Sequence, residues 1–133
     1  MNYAEQTGRQ PDFEVHYRFF THEEGGRLTG PPFQHIRCDW SYEGDDISKT
    51  GISMVWPEFL AKDGSIFSEG VQVPASGAAT MWILTHYARV QNHQIRIKVG
   101  VRGYFMEGAK RTAEAVVTRV IGLHSNTAEG WVK

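Results

Sequence analysis

The sequence predicts an all-β protein, a six-stranded antiparallel closed β-barrel that forms a single domain. Three observations predict it. Apolar and polar residues alternate with a period of two in several short runs, glycine- or proline-rich turns separate those runs, and few stretches have helical periodicity. The chain has 133 residues, of which 41% are hydrophobic. This length fits one ordinary domain and leaves no room for two.

The first two strands are predicted over residues 12–21 and 33–42. In the first run, the residues on one side are all apolar, namely Phe13, Val15, Tyr17 and Phe19. Gly25 and Gly26 follow, and paired glycines permit the positive φ of tight reversals. In the second run Ile36, Trp40 and Tyr42 share one parity. Each strand therefore has one face that can be buried.

The middle of the chain predicts shorter elements. A strand over 51–56 is expected to end at Pro57, which cannot donate a hydrogen bond to a ladder. An inserted hairpin turning at residues 62–64 fits the segment 58–70. After the turn that follows Val73, a strand over 78–87 is apolar on both faces, which indicates burial on two sides.

The clearest alternation lies near the C-terminus, over residues 93–105. Its apolar side comprises Ile95, Ile97, Val99, Val101 and Phe105. Residues 107–110 predict a hairpin into a last strand over 111–122. Residues 56–62 and 112–120 also fit a helix locally, although β-branching argues against the second. The predicted organisation is a flexible N-terminus over 1–11, the barrel over 12–122 and a tail over 123–133.

Composition and charge limit the function classes. The net charge is −1, so binding to nucleic acid or to an acidic membrane would require a local patch. No run approaches the roughly 20 apolar residues of a membrane span, and the N-terminal segment lacks an apolar run of signal-peptide type. One cysteine, Cys38, cannot close an intramolecular disulfide. We therefore predict a cytoplasmic protein.

Several landmarks occur in a recognisable order. A strand leads into Glu23-Glu24-Gly25-Gly26-Arg27, Val73-Pro74 precedes a glycine turn, and residues 107–112 lead into a valine-rich strand over 115–120. In this order the chain resembles the C-terminal β-barrel domain of bacterial elongation factor Tu, from about residue 12 to 122. The resemblance implies a six-stranded closed barrel, which leaves no strand edge exposed. It also implies that the two motif loops lie where the family contacts other macromolecules. Their residues are Glu24, Gly25, Gly26, Arg27, Glu107 and Gly108.

The GTPase activity of the full-length factor is not implied. Nucleotide binding requires a glycine-rich loop that ends in Gly-Lys-Ser or Gly-Lys-Thr. Residues 44–50 come nearest, but they lack the glycine before Lys49 and place Asp45 and Asp46 where an anion would sit. No nucleotide site is therefore predicted.

A basic row is the candidate RNA-binding surface. Arg96, Lys98 and Arg102 share one parity of the strand predicted over 93–105, and Tyr104 continues the row. Lys110 and Arg111 extend it if the last hairpin faces the same way. The alternative is a solvated barrel exterior in which Glu14 and Glu114 neutralise the row. The elongation factor family has an arginine where this chain has Met106, which removes a phosphate-binding cation.

A protein-binding surface is the other candidate. Phe20 and Tyr104 have the parity of charged neighbours and are expected on the exterior, with Trp82 a third aromatic anchor. Asp45 and Asp46 in the acidic loop would select the partner by charge. The alternative is that exterior aromatic rings only cover neighbouring aliphatic stems.

Catalytic and metal sites are not predicted. The six histidines lack the short paired spacing of zinc sites, and Cys38 reads as a structural thiol within a strand. We predict a noncatalytic module without cofactors. It binds a protein partner, either linked to the translation machinery or regulated by this chain. The alternative is an RNA-binding accessory protein that uses the basic row.

Overall fold

The computed structural model describes residues 2–127 and is mostly β. Six strands and several short helical segments make up this part of the chain. The strands are β1 (Phe13–Phe19), β2 (Asp39–Tyr42), β3 (Val55–Leu60), β4 (Ser76–Ile83), β5 (Arg102–Glu107) and β6 (Lys110–Val120). The helices are α1 (Tyr3–Thr7), α2 (Ile47–Thr50), α3 (His86–Ala88) and α4 (Gln94–Arg96), and a π-helical turn, Arg89–His93, joins the last two.

All six strands form one sheet, in the order β2-β5-β6-β1-β4-β3, and every neighbouring pair is antiparallel. The sheet curls into a half-barrel and is not closed, so the prediction of a closed barrel is wrong in this respect. The two edge strands approach each other only at one bridge, between Trp40 of β2 and Ser53, which precedes β3. Because β2 has only four residues and β3 begins at Val55, no continuous ladder joins the edges.

The core lies inside the curl, with the central strand β1 supplying one inward row. Phe13, Val15, Tyr17 and Phe19 are buried, as the alternation predicts. The Tyr17 ring packs edge-on against Phe59 of β3 at a centroid distance of 5.0 Å. Such aromatic pairs add about 0.5–1.5 kcal/mol beyond the burial of their area. The first strand and the inward side of its pattern are thus confirmed.

Two predicted strands have different bounds. The strand expected over 33–42 is formed only from Asp39, because His35 has a positive φ of 71° that interrupts an extended chain. The strand expected to end at Pro57 continues to Leu60. Proline is tolerated there because β3 is an edge strand, where a missing N–H does not interrupt a ladder on both sides.

The strand predicted over 93–105 is wrong for most of its length. Residues 86–96 are helical, and regular strand structure begins only at Arg102. Thr85 caps this helical segment, since its hydroxyl accepts a hydrogen bond from the N–H of Ala88 at 3.3 Å. Arg89, His93 and Ile97 are spaced four apart and are all buried, which is the pattern of a helix face. The predicted strand over 78–87 likewise ends at Ile83, before this segment.

The hairpin predicted over 107–110 is confirmed, because β5 ends at Glu107 and β6 begins at Lys110. The insertion also folds back as expected. The N–H of Ala61 donates to the carbonyl of Ser65 at 2.7 Å, and Leu60 bridges to Ile66. Residues 56–62 and 112–120 are not helical, since they lie largely within β3 and β6.

An ionic network lies where β1 begins. The Asp12 carboxylate accepts hydrogen bonds from the Arg89 Nε at 2.9 Å, the Ile83 N–H at 2.8 Å and the Asn126 amide at 3.0 Å. Arg9 reaches the same carboxylate at 3.3 Å. Asp12 and Arg89 are completely buried. This network joins β1 to the helical segment and to the chain that follows β6.

The segment predicted as the N-terminus contains α1, whose Asn2 forms a capping box with Glu5. Tyr3 is buried and stacks on the ring of His35 at 4.5 Å. In the segment predicted as the tail, Leu123 is buried. Residues 128–133 of that tail, with Trp131, and Met1 lie outside the described residues. Among residues 2–127, none of the helices has the length and apolar character that a membrane crossing requires.

Candidate interaction site

The loop after β1 fixes the position of Phe20. Gly26 turns back on this residue, and its N–H donates to the carbonyl of Thr21 at 2.8 Å. A Cβ at Gly26 would overlap the carbonyl of Phe20, which is backbone and cannot swing away. Gly25 has a φ of 94°, in the left-handed region that favours glycine. The two motif glycines therefore hold a tight loop under the Phe20 backbone.

Arg18 organises the acidic side of this loop. Its guanidinium binds both oxygens of Glu24, at 2.9 and 3.1 Å, and also binds Glu114 of β6 at 3.1 Å. These bonds, together with the N–H of Thr21, lower the pKa of Glu24 to about 2. The same guanidinium lies 5.3 Å from the centre of the Phe20 ring. Glu24 and Glu114 thus share one cation, and the three groups together keep a net charge of −1.

The second motif segment is the hairpin between β5 and β6, where Gly108 has a φ of 61°. Arg27 of the first loop binds Glu107 at 2.6 Å and the carbonyl of Gly30 at 3.0 Å. The two segments quoted for the resemblance, 80 residues apart, are therefore in direct contact. This ion pair fixes the hairpin beside the loop that carries Phe20.

An open groove of about 570 Å³ lies between these two segments. Phe20 and Tyr104 line it, both half-buried, as expected for exterior aromatic residues. The guanidinium of Arg111 lies 4.4 Å from the centre of the Tyr104 ring. The remaining lining residues are Glu24, Gly25, Ile47, Ala109, Lys110, Arg111 and Glu114. We call this surface the aromatic groove.

Some charged groups of the aromatic groove are bonded within the protein, and others are available to a ligand. Its two carboxylates, Glu24 and Glu114, are both bonded to Arg18. Within residues 2–127, neither Lys110 nor Arg111 has an ion-pair partner, and both are exposed. A ligand therefore meets two aromatic rings and two available cations.

An apolar pocket of about 280 Å³ adjoins the groove at Phe20, which lines both. Its walls include Phe19, Leu28, Pro31 and Ala75. Leu28 is 76% exposed at this pocket although it is a large apolar residue. The pocket thus extends the groove from its charged side to an apolar side.

Other predicted site residues lie elsewhere. The predicted row of Arg96, Lys98 and Arg102 on one strand does not exist, because Arg96 ends α4, Lys98 lies in a turn and Arg102 begins β5. Arg96 binds the Asp45 carboxylate with two bonds, at 2.7 and 2.9 Å, and Arg102 approaches Glu43 at 3.5 Å. Only Lys110 and Arg111 of the five basic candidates line the aromatic groove.

Glu14 and Glu114 were expected to neutralise the basic row, but they pair with other cations. Glu14 binds Arg119 at 3.1 Å, and Glu114 binds Arg18. Met106, which stands at the family's arginine position, is completely buried and does not face a ligand.

The acidic pair has two different roles in the structure. Asp45 is engaged by Arg96, which lowers its pKa. Asp46 caps α2, accepting hydrogen bonds from the N–H and the hydroxyl of Ser48 at 3.0 and 2.6 Å. The next residue, Ile47, lines the aromatic groove, so Asp46 lies beside it.

Trp82 does not lie on the exterior. It is 1% exposed, and its ring packs edge-on against Tyr3 of α1 at 5.9 Å. Arg9 lies over the same ring at 5.8 Å. The prediction of an exposed anchor is wrong here because the N-terminal segment covers this face of β4.

Cys38 and His93 are buried, unlike the aromatic residues of the groove. Cys38 is buried, and desolvation raises the pKa of its thiol well above the usual value. No group of three or more His, Cys, Asp or Glu side chains that could hold a metal ion occurs in the described part of the chain. His93 is buried and hydrogen-bonds the Tyr42 hydroxyl at 2.6 Å, and desolvation lowers its pKa to about 4.

Sequence reasoning missed Leu28 and Ile47 as parts of the surface. Leu28 lies in a glycine-rich loop and Ile47 begins the short helix α2, and neither residue belongs to a periodic pattern in the sequence. A single exposed leucine between glycines was the one available signal, and such residues are common on ordinary surfaces.

Comparison with known proteins assigns no relative. No protein-family model matches the chain, and no curated protein matches it significantly. The function proposed below therefore relies on the geometry of this surface.

Proposed function

We propose that this protein is a noncatalytic binding module that recognises another protein through the aromatic groove. The observation that carries the proposal is the convergence of Phe20, Tyr104, Lys110 and Arg111 on one open surface. Aromatic and arginine side chains dominate the binding energy of protein interfaces when a partner excludes water from them. The surrounding loop is held by backbone constraints, so little order would have to be acquired on binding.

A second line of support is the construction of the groove's floor. The Arg27–Glu107 ion pair holds two distant segments together, and the close approach of Gly26 to Phe20 constrains the first of them. Arg18 fixes Glu24 and Glu114 beside them. A prearranged surface with partly exposed aromatic rings is typical of an interaction site.

The translation machinery is the proposed setting. The glycine-containing motifs that resemble those of elongation factor Tu are the segments that build the groove. A module of this kind would compete for contacts with a translation partner or regulate it. The half-barrel sheet with six antiparallel strands is compatible with that relationship.

The test is affinity capture of partners from native extract, followed by mass spectrometry, with matched variants. Tyr104→Ala together with Phe20→Ala should lose the partner, because both aromatic anchors are removed. Tyr87→Ala is the control, since Tyr87 is 74% exposed and lies outside the groove. Equal recovery of every captured protein by the double variant and the control would refute the proposal.

RNA binding is the second candidate, favoured by Lys110 and Arg111, which are exposed, lie beside two aromatic rings and have no ion-pair partner within residues 2–127. Bases stack on such rings while cations bind phosphates. Filter binding of bulk tRNA between 50 and about 300 mM salt should show a steep loss of affinity if RNA is the ligand. Lys110→Glu should then weaken binding at all salt concentrations. Affinity for tRNA that is absent or independent of salt excludes this candidate.

A further inference from the structure

We infer that the partner of the aromatic groove is a peptide segment in which a large apolar side chain lies next to acidic side chains. This inference rests on the proposed function and names the chemistry of the partner. It follows from the junction of two different surfaces at Phe20: the apolar pocket on one side and the cationic side of the aromatic groove on the other.

The apolar pocket sets the first requirement. At about 280 Å³ it is smaller than the roughly 300–1,000 Å³ of sites for drug-sized molecules. Its surface is mostly apolar and includes Phe19, Leu28 and Pro31, although Thr21, His22 and Arg27 also line it. One apolar side chain suits this space, and Leu28 would lose its exposure to water when that side chain enters.

Charge sets the second requirement. Arg18 pairs with both Glu24 and Glu114, so these three groups keep a net charge of −1, which the two positive charges of Lys110 and Arg111 exceed. Lys110 and Arg111 have no ion-pair partner within residues 2–127 and face the same groove. Carboxylates of the partner therefore complete the charge balance of this surface.

Geometry favours a peptide over a nucleic acid. Nucleic-acid binding needs a track of cations along a phosphate backbone. Two of the other basic candidates, Arg96 and Arg102, are engaged by Asp45 and Glu43. An apolar pocket beside only two available cations matches alternating side chains of an extended peptide.

The experiment is selection of displayed random heptapeptides on the immobilised full chain. We expect peptides that combine a leucine, isoleucine, phenylalanine or methionine with neighbouring aspartate or glutamate. A parallel selection on the Lys110→Glu, Arg111→Glu variant should enrich lysine and arginine instead. The Lys98→Glu variant is the control, because Lys98 is exposed and lies outside the groove, and its selected peptides should match those of the unchanged protein.

The apolar requirement is tested separately with a labelled copy of the most enriched peptide. Leu28→Asn, which removes apolar surface without adding a charge, should weaken its binding by about tenfold or more in fluorescence anisotropy. Val99→Asn is the matched control, since Val99 is 67% exposed, and it should leave affinity unchanged. A chain ending at residue 127 should bind equally well, which excludes the protein's own C-terminal residues as the occupant.

Three results would overturn the inference: no consensus, a consensus without acidic residues, or affinity that is insensitive to Leu28→Asn. The proposed function fails separately. It is lost if the Phe20→Ala, Tyr104→Ala variant keeps its natural partner, whatever peptides the display selects. A steep salt-dependent affinity for bulk tRNA with no selected peptide would assign the surface to RNA.

Discussion

The two ends of β1 use charge in opposite ways. At its start, Asp12 and Arg89 are completely buried, and every contact described for the Asp12 carboxylate is within the chain. At its end, Arg18, Glu24 and Glu114 pair at the surface, while Lys110 and Arg111 have no ion-pair partner in residues 2–127. Buried charges must be paired, and they are costly to disturb. Exposed charges contribute little to stability and remain available to a ligand. β1 thus joins a buried ionic network that stabilises the fold to the surface that we propose binds a partner.

The strongest test of this contrast is Asp12→Ala. Removal of the carboxylate breaks the buried ion pair to Arg89 and the hydrogen bonds to Ile83 and Asn126. We expect a loss of about 3–5 kcal/mol in the free energy of unfolding, measured by urea denaturation. Glu114→Ala, at the other end, should cost about 1 kcal/mol or less. Equal losses for the two variants would contradict the comparison.

A pH series tests the same end of β1 through His93. Burial lowers the pKa of His93 from its usual 6.5 to about 4. Between these values the unfolded chain binds a proton that the folded chain does not, so stability falls as the pH falls. The contribution is on the order of 3 kcal/mol, present above pH 6.5 and lost as the pH approaches 4. Thermal unfolding between pH 7.5 and 4.5 should show this loss, and it should be smaller in His93→Gln.

A backbone substitution tests the other end. Gly26→Ala places a Cβ against the carbonyl of Phe20 and forces the loop to shift. We expect a loss of about 1–3 kcal/mol in thermal unfolding, together with weaker partner binding. Gly77→Ala in β4 is the matched control, because the nearest atom to a Cβ there is the Tyr17 hydroxyl at 3.4 Å and Gly77 lies outside the groove. Unchanged binding by the Gly26 variant would show that this loop does not position the groove.

The smallest expected effect on stability is that of Lys110→Ala. Its side chain is exposed and has no ion-pair partner among the described residues. The free energy of unfolding should change by about 0.5 kcal/mol or less. Binding of an acidic peptide should nevertheless weaken, measured by fluorescence anisotropy. A large change in the free energy of unfolding with unchanged affinity would show that Lys110 stabilises the fold and does not bind the peptide.

Regular elements were predictable where local pattern and tertiary burial agree. The alternation of β1 and the hairpin at Gly108 predict the central strands, because a period of two distinguishes an inner from an outer face. The helical segment was missed because two of its buried positions are Arg89 and His93, which an apolar pattern does not register. Their burial depends on Asp12 and Tyr42, which are distant in sequence.

The candidate site was predictable only in part. Phe20 and Tyr104 follow from parity, but the contact that brings their segments together, Arg27 to Glu107, spans 80 residues. Local sequence contains no information on that pairing. Leu28 belongs to a loop whose conformation is set by its own backbone bonds and not by periodicity. Whether the sheet closes into a barrel also depends on strand lengths, which sequence patterns define poorly.

The single bridge between Trp40 and Ser53 gives the molecule a weak seam. Both of its hydrogen bonds, each 2.9 Å long, can break without disturbing the ladders on either side of β1. Protection against amide hydrogen exchange should therefore be lowest at Trp40 and Ser53. It should be highest in β1, which is bonded to β4 and β6 along its length. We expect the sheet to open first at this seam while its central strands remain paired.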